Sequence, residues 1–152
     1  MPAFSPFRSL RYDPARFAPE DVTAPPYDVL SADDRRALVA KNPHNAVLID
    51  LPTDDDGPDR YVEAGHRMRA WTAEGVLALD GAPELTAYRM TTTDDLGNPV
   101  ATLGVLGALT LSRPDEGEIL PHEHTTPKAK SDRLDLLRGT RANLSAIWGL
   151  SL

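Results

Sequence analysis

Residues Glu84-Leu-Thr-Ala-Tyr-Arg-Met-Thr-Thr-Thr93 and Pro99-Val-Ala-Thr-Leu-Gly-Val-Leu-Gly-Ala-Leu-Thr-Leu111 flank the pentapeptide Asp94-Asp-Leu-Gly-Asn98. Both flanks are rich in β-branched, aromatic and aliphatic side chains, which fit the pleated surface of a strand. Gly97 and Asn98 tolerate the positive φ that a hairpin turn requires. An antiparallel hairpin follows, and with it a sheet for helices to pack on. Gly104 and Gly107 either weaken the second strand or mark a bulge where another element approaches closely.

Outward from the hairpin, the pattern turns helical. Ser31 is placed to cap the amide of Asp34, with Asp33 and Asp34 at the positive end of a helix dipole, and the helix should run to about Lys41 before Pro43 stops it. Ala46-Val-Leu-Ile-Asp-Leu51 reads as a short apolar strand ended by Pro52. Thr53 to Pro58 is a polar loop of three consecutive aspartates whose acids can cap the next helix; an aspartate triplet can bind a divalent cation, but the loop is read as solvated. Tyr61, Met68 and Trp71 then recur near helical spacing until Gly75, with His66 on the surface of that helix. A further capped helix spans about Ser131 to Arg141, fraying at Gly139, and Ala146 to Leu152 reads as a strand. The first thirty residues, with Pro14, Pro19, Pro25 and Pro26, are extended and turn-rich. These elements predict an α+β fold in one domain over residues 1–152. Its mixed, mostly antiparallel sheet combines 46–51, the 84–111 hairpin and the C-terminal strand, with about three packed helices.

Composition narrows the chemistry. The chain has 152 residues, 41% hydrophobic and 26% charged, which is enough for a core. It contains no cysteine, so disulfides, thiolate metal sites and a cysteine nucleophile are excluded. No apolar run is long enough for a membrane span and no leader is visible at Met1 to Leu10, so a cytoplasmic location and no membrane partner are expected. A formal charge of −7 argues against nucleic acid as a partner. The charge is unevenly placed: residues 121–152 carry five bases against three acids, and two of the three lysines, Lys128 and Lys130, fall in one short stretch.

That stretch, Gly117-Glu-Ile-Leu-Pro-His-Glu-His-Thr-Thr-Pro-Lys-Ala-Lys-Ser-Asp-Arg133, is the densest cluster of reactive side chains. It leads into a helix N-terminus, where free backbone amides favour anions. In an extended segment His122 and His124 project to one side and Glu123 to the other. One use of this geometry is acid/base chemistry at a histidine, with Lys128, Lys130 and Arg133 gripping a phosphate or carboxylate. A second is metal ligation by His122, His124 and Asp132; a third is a solvated loop in which Asp132 and Arg133 merely cap and pair. The i, i+2 spacing of the histidines is not that of a helical zinc-protease motif.

The order of motifs carries a resemblance. Pro6-Phe-Arg-Ser-Leu-Arg11, Ala24-Pro-Pro-Tyr-Asp-Val29, Asn42-Pro43, Tyr88-Arg89, Pro121-His-Glu-His-Thr125 with Lys128, Asp132-Arg133 and Ala142-Asn143 together resemble the bacterial "domain of unknown function 1015" family over the whole chain. Members of that family are longer, so the resemblance implies that this chain is the N-terminal part of a longer protein whose C-terminal part packs on it. Matched residue by residue, the family's patterns fall on Arg8 and Arg11, on Pro25 to Val29, on His122, Glu123 and Thr125, and on Asp132, Arg133 and Asn143. His124 stands where members vary, which makes His122 the better single candidate. Frequent encoding of members near enzymes of the phosphorylated serine pathway implies a phosphorylated or amino-acid ligand.

The resulting expectation is an enzyme domain acting on a small anionic metabolite, phosphorylated or carboxylated, by phosphoryl transfer or hydrolysis. His122 is the acid/base or nucleophile, oriented by Glu123 or Asp132. Lys128, Lys130, Arg133, Thr125, Tyr27, Asp28, Arg8 and Asn143 are the candidate ligand-binding residues. Pro25 and Pro26 fix the backbone that presents Tyr27 and Asp28. The alternatives are a non-catalytic anion-sensing or interaction module and, behind it, a metal-dependent hydrolase; neither a resident metal nor a cofactor is assigned.

Overall fold

The hairpin of the computed structural model pairs Thr86 with Leu106 at its open end and Thr93 with Pro99 at its turn. The structure describes residues 2–121 and 126–150, without the side chains of Pro114, Lys128 and Ala129. In chain order the described elements are β1 (Phe4–Ser5), β2 (Leu10–Tyr12), α1 (Pro19–Val22), α2 (Ala32–Lys41), α3 (Val47–Asp50), α4 (Arg60–Ala73), β3 (Leu77–Leu79), β4 (Thr86–Thr93), β5 (Pro99–Leu106), β6 (Ala108–Leu109) and α5 (Pro127–Thr140). This is an α+β fold. The strands form three two-stranded pairs, β1 with β6, β2 with β3 and β4 with β5, where a single larger sheet was expected.

The chain divides into two compact units. One comprises Met1–Ser9 and Leu79–His124. Its hairpin turn is held by Asp94, whose carboxylate accepts from the amides of Leu96 (2.9 Å) and Asn98 (2.8 Å), and Gly97 takes φ +84°. The two strand glycines have a common cause. A Cβ at Gly104 would meet the Tyr88 ring at 2.2 Å, and one at Gly107 the Phe4 ring at 2.4 Å, so each glycine makes room for an aromatic lying across the backbone. Phe7 and Glu84 exchange backbone hydrogen bonds at 3.1 and 2.9 Å, and the Arg8 guanidinium donates to the Asp80 carbonyl.

The other unit comprises Leu10–Ala78 and Thr125–Leu152. Its core is Val47, Leu48, Ile49, Trp71, Val76 and Leu77. The Ser31 cap forms as the sequence predicts: its hydroxyl accepts from the Asp34 amide, and the Asp34 carboxylate accepts from the Ser31 amide. Helix α4 is capped by Asp59 on the Val62 amide and stopped at Gly75, φ +70°.

Three sequence expectations are corrected here. Residues 46–51 are not a strand but contain the helical turn α3. Val47, Leu48 and Ile49 are buried all round, so the run shows neither a two-residue nor a 3.6-residue period, and a short apolar run of this kind does not distinguish strand from helix. Fully buried Asn45 decides it. Its Oδ1 accepts from the Val47 amide (3.0 Å) and starts the turn, while Nδ2 donates to the carbonyls of Asp21 (2.9 Å) and Thr23 (3.0 Å). Residues 146–150 form no strand, and Ile147 and Leu150 are more than nine-tenths exposed. Helix α5 starts at Pro127, earlier than expected, and does not fray at Gly139. Gly139 lies against the backbone of Tyr61, and the helix continues to Thr140.

Candidate functional site

Asp132 and Arg133 sit in the second turn of α5, and around them the second unit assembles a continuous polar network. The Arg133 guanidinium donates from Nε and Nη2 to Asp132 Oδ2 (3.1 and 2.8 Å), from Nη1 to Asp50 Oδ1 (3.0 Å) and from Nη2 to the Asp50 carbonyl (3.0 Å). These four donations occupy most of its N–H groups. Its Cζ lies 3.8 Å from the centroid of the Tyr27 ring. Tyr27 opens a 3-10 turn, Tyr27–Val29, directly after Pro26, so the two prolines place the ring that stacks on the guanidinium.

On the far side of Asp132, the Tyr61 hydroxyl donates to Oδ1 at 2.8 Å and accepts from Arg60 Nη2 at 2.7 Å. Arg60 Nη2 is itself 3.7 Å from Asp132 Oδ1, and its Nη1 reaches Asp54 Oδ1 at 3.2 Å. The Arg60 Cζ lies 4.8 Å from the Tyr61 ring centroid, so each of the two guanidiniums beside Asp132 rests on a tyrosine. Burial alone would raise the Asp132 pKa, but hydrogen bonds from Tyr61 and Arg133 and the charges of Arg133 and Arg60 outweigh it and hold the carboxyl below its ordinary range. Burial, first, together with the hydrogen bond to Asp132, raises the Tyr61 hydroxyl, which therefore stays protonated at neutral pH. Arg60 and Tyr61, with Asp54, Pro58 and Asp59, line a shallow cleft of about 360 Å³.

Of the residues singled out from sequence, Tyr27, Asp132 and Arg133 meet in this network. Asp28 is exposed on the same 3-10 turn, Lys130 is exposed in the first turn of α5, and Asn143 is exposed just beyond that helix. Arg8 belongs to the other unit, bonded to Asp80. His122, Glu123, His124 and Thr125 lie outside the described residues, as does the Lys128 side chain. Sequence reading missed Asp50, Arg60 and Tyr61. Asp50 had a signal, being a lone acid inside an apolar run; Arg60 and Tyr61 follow the capping Asp59 and looked like ordinary helix-start residues.

The aspartate triplet is also not simply solvated. Asp56 turns inward to Arg35 (2.6 Å) and Arg67 (3.3 Å), and its side chain is 8% exposed. Among the described residues no group of three or more His, Asp or Glu is placed to hold a metal ion, and no helix is long and apolar enough to cross a membrane.

No curated protein and no solved structure matches the chain. One family does, over residues 4–151, almost the whole length, and the protein belongs to it: the family described as "Protein of unknown function (DUF1015)".

Proposed function

We propose that this chain carries the anion-binding and proton-transferring part of an enzyme that acts on a small phosphorylated or carboxylated metabolite, by phosphoryl transfer or hydrolysis, in the cytoplasm. The observation that carries the reading is the rigid mounting of Asp132 and Arg133 by Tyr27, Asp50, Arg60 and Tyr61. It fixes the start of α5, the helix that follows His122 to Thr125 in the chain and bears Lys128 and Lys130. A preorganised helix start with basic side chains is the environment in which an anion is held without reorganisation.

Glu123 or Asp132 orients His122, Asp132 while also accepting from Tyr61 and Arg133. His122 then takes the proton from the attacking hydroxyl or water as it adds to phosphorus or carbonyl carbon, and returns it to the leaving oxygen. Arg133 acts as a positioning residue, while Lys128 and Lys130 attract the anion.

The test is His122→Ala in the full chain. Phosphate, O-phosphoserine, serine and nucleotides are screened by thermal shift and for conversion, and turnover of the stabilising compound should vanish without loss of fold. Retained turnover would refute the role of His122. Stabilisation without conversion in the wild type would instead identify a binding module.

A further inference from the structure

We propose that Arg60 is the guanidinium that grips the ligand's phosphoryl group, and that Asp54 is an internal counter-ion which that group displaces. This rests on the anion-binding function proposed above and specifies where the anion sits. Two guanidiniums flank Asp132, and their surroundings differ. Arg133 is occupied by Asp132 and Asp50 and covered by Tyr27, with its side chain 23% exposed. Arg60 lines the open cleft, with its side chain 34% exposed.

Its Nη2 is held by the Tyr61 hydroxyl and its face by the Tyr61 ring, so the planar group is oriented before any ligand arrives. Its Nη1 has the Asp54 carboxylate as partner at 3.2 Å, on a side chain 94% exposed. An ion pair so open to water is weak. A phosphate monoester, with more charge than one carboxylate and several acceptor oxygens, is the stronger partner for a fixed guanidinium. Asp59 is engaged with the Val62 amide, and Asp132, 3.7 Å from Arg60 Nη2, is held by Tyr61 and Arg133. Asp54 is therefore the group that competes with the ligand.

Calorimetric titration of the full chain with inorganic phosphate and with O-phosphoserine tests this. Asp54→Asn should tighten binding about 2–5-fold by removing the competing pair. Arg60→Gln should weaken it at least about tenfold, and Arg60→Lys should recover only part because the ammonium lacks the two-pronged geometry. Circular dichroism checks that each variant keeps its fold; if Arg60→Gln does not, the exposed Asp54→Asn substitution decides alone. Unchanged or weaker binding in Asp54→Asn, or wild-type affinity in a folded Arg60→Gln, overturns the assignment while leaving the proposed function standing. Absence of phosphate binding in both wild type and Asp54→Asn overturns the two together.

Discussion

Asn45 shows how much one polar side chain decides. Its amide satisfies two carbonyls and one amide that the surrounding apolar residues have no means to reach, and it joins the segment ending α1 to the start of α3. Asn45→Ala should destabilise the protein by about 2 kcal/mol, read as a lower midpoint in urea unfolding, because those backbone groups would stay buried without partners. Asp56 and Asp132 make a pH prediction. Burial would raise the Asp56 carboxyl, but hydrogen bonds from Thr53 and the charge and hydrogen bond of Arg35 prevail and lower it; Asp132 is lowered in a comparable way by Tyr61 and Arg133. A carboxyl whose folded pKa is depressed adds stability above its unfolded value of about 4, and that stability is lost as pH falls through the folded value. Thermal unfolding followed from pH 6 downward should therefore show a decline beginning near about pH 4, and Asp56→Asn should shrink that decline while lowering stability at pH 6.

At the scale of elements, α4 and α5 touch backbone to backbone. A Cβ at Gly139 would stand 2.2 Å from the Tyr61 carbonyl oxygen, and one at Gly65 equally close to the carbonyl of Gly139. Gly139→Ala should cost about 3 kcal/mol by pushing the helices apart, and it should separate Tyr61 from Asp132, seen as a lowered pKa of the tyrosine in ultraviolet titration. Sequence made the hairpin and the capped start of α2 legible, because their turn and cap residues act on neighbours in the chain. It misread 46–51 for the opposite reason: what makes α3 helical is a hydrogen-bond set between Asn45 and residues more than twenty positions earlier. In the candidate site, the motif residues Tyr27, Asp132 and Arg133 were visible. Asp50, Arg60 and Tyr61 join them through contacts of 71 to 83 positions in separation for the Tyr61 and Asp50 bonds, and no local pattern records those.

At the scale of the whole molecule, neither unit is a continuous stretch of chain, since the path passes from one to the other after Ser9, after Ala78 and after His124. Truncation at any single point therefore cannot isolate either unit intact. The pairing of Phe4 with Leu109 and Ser5 with Ala108 extends this into time. On a ribosome adding about 5–20 residues per second, the partner of the first strand is made on the order of 5–20 s after the strand itself. Throughout that interval Phe4, whose ring ends up across Gly107, lacks that partner. This strand is thus made well before the segment it pairs with, and a nascent-chain chaperone has that interval in which to hold it.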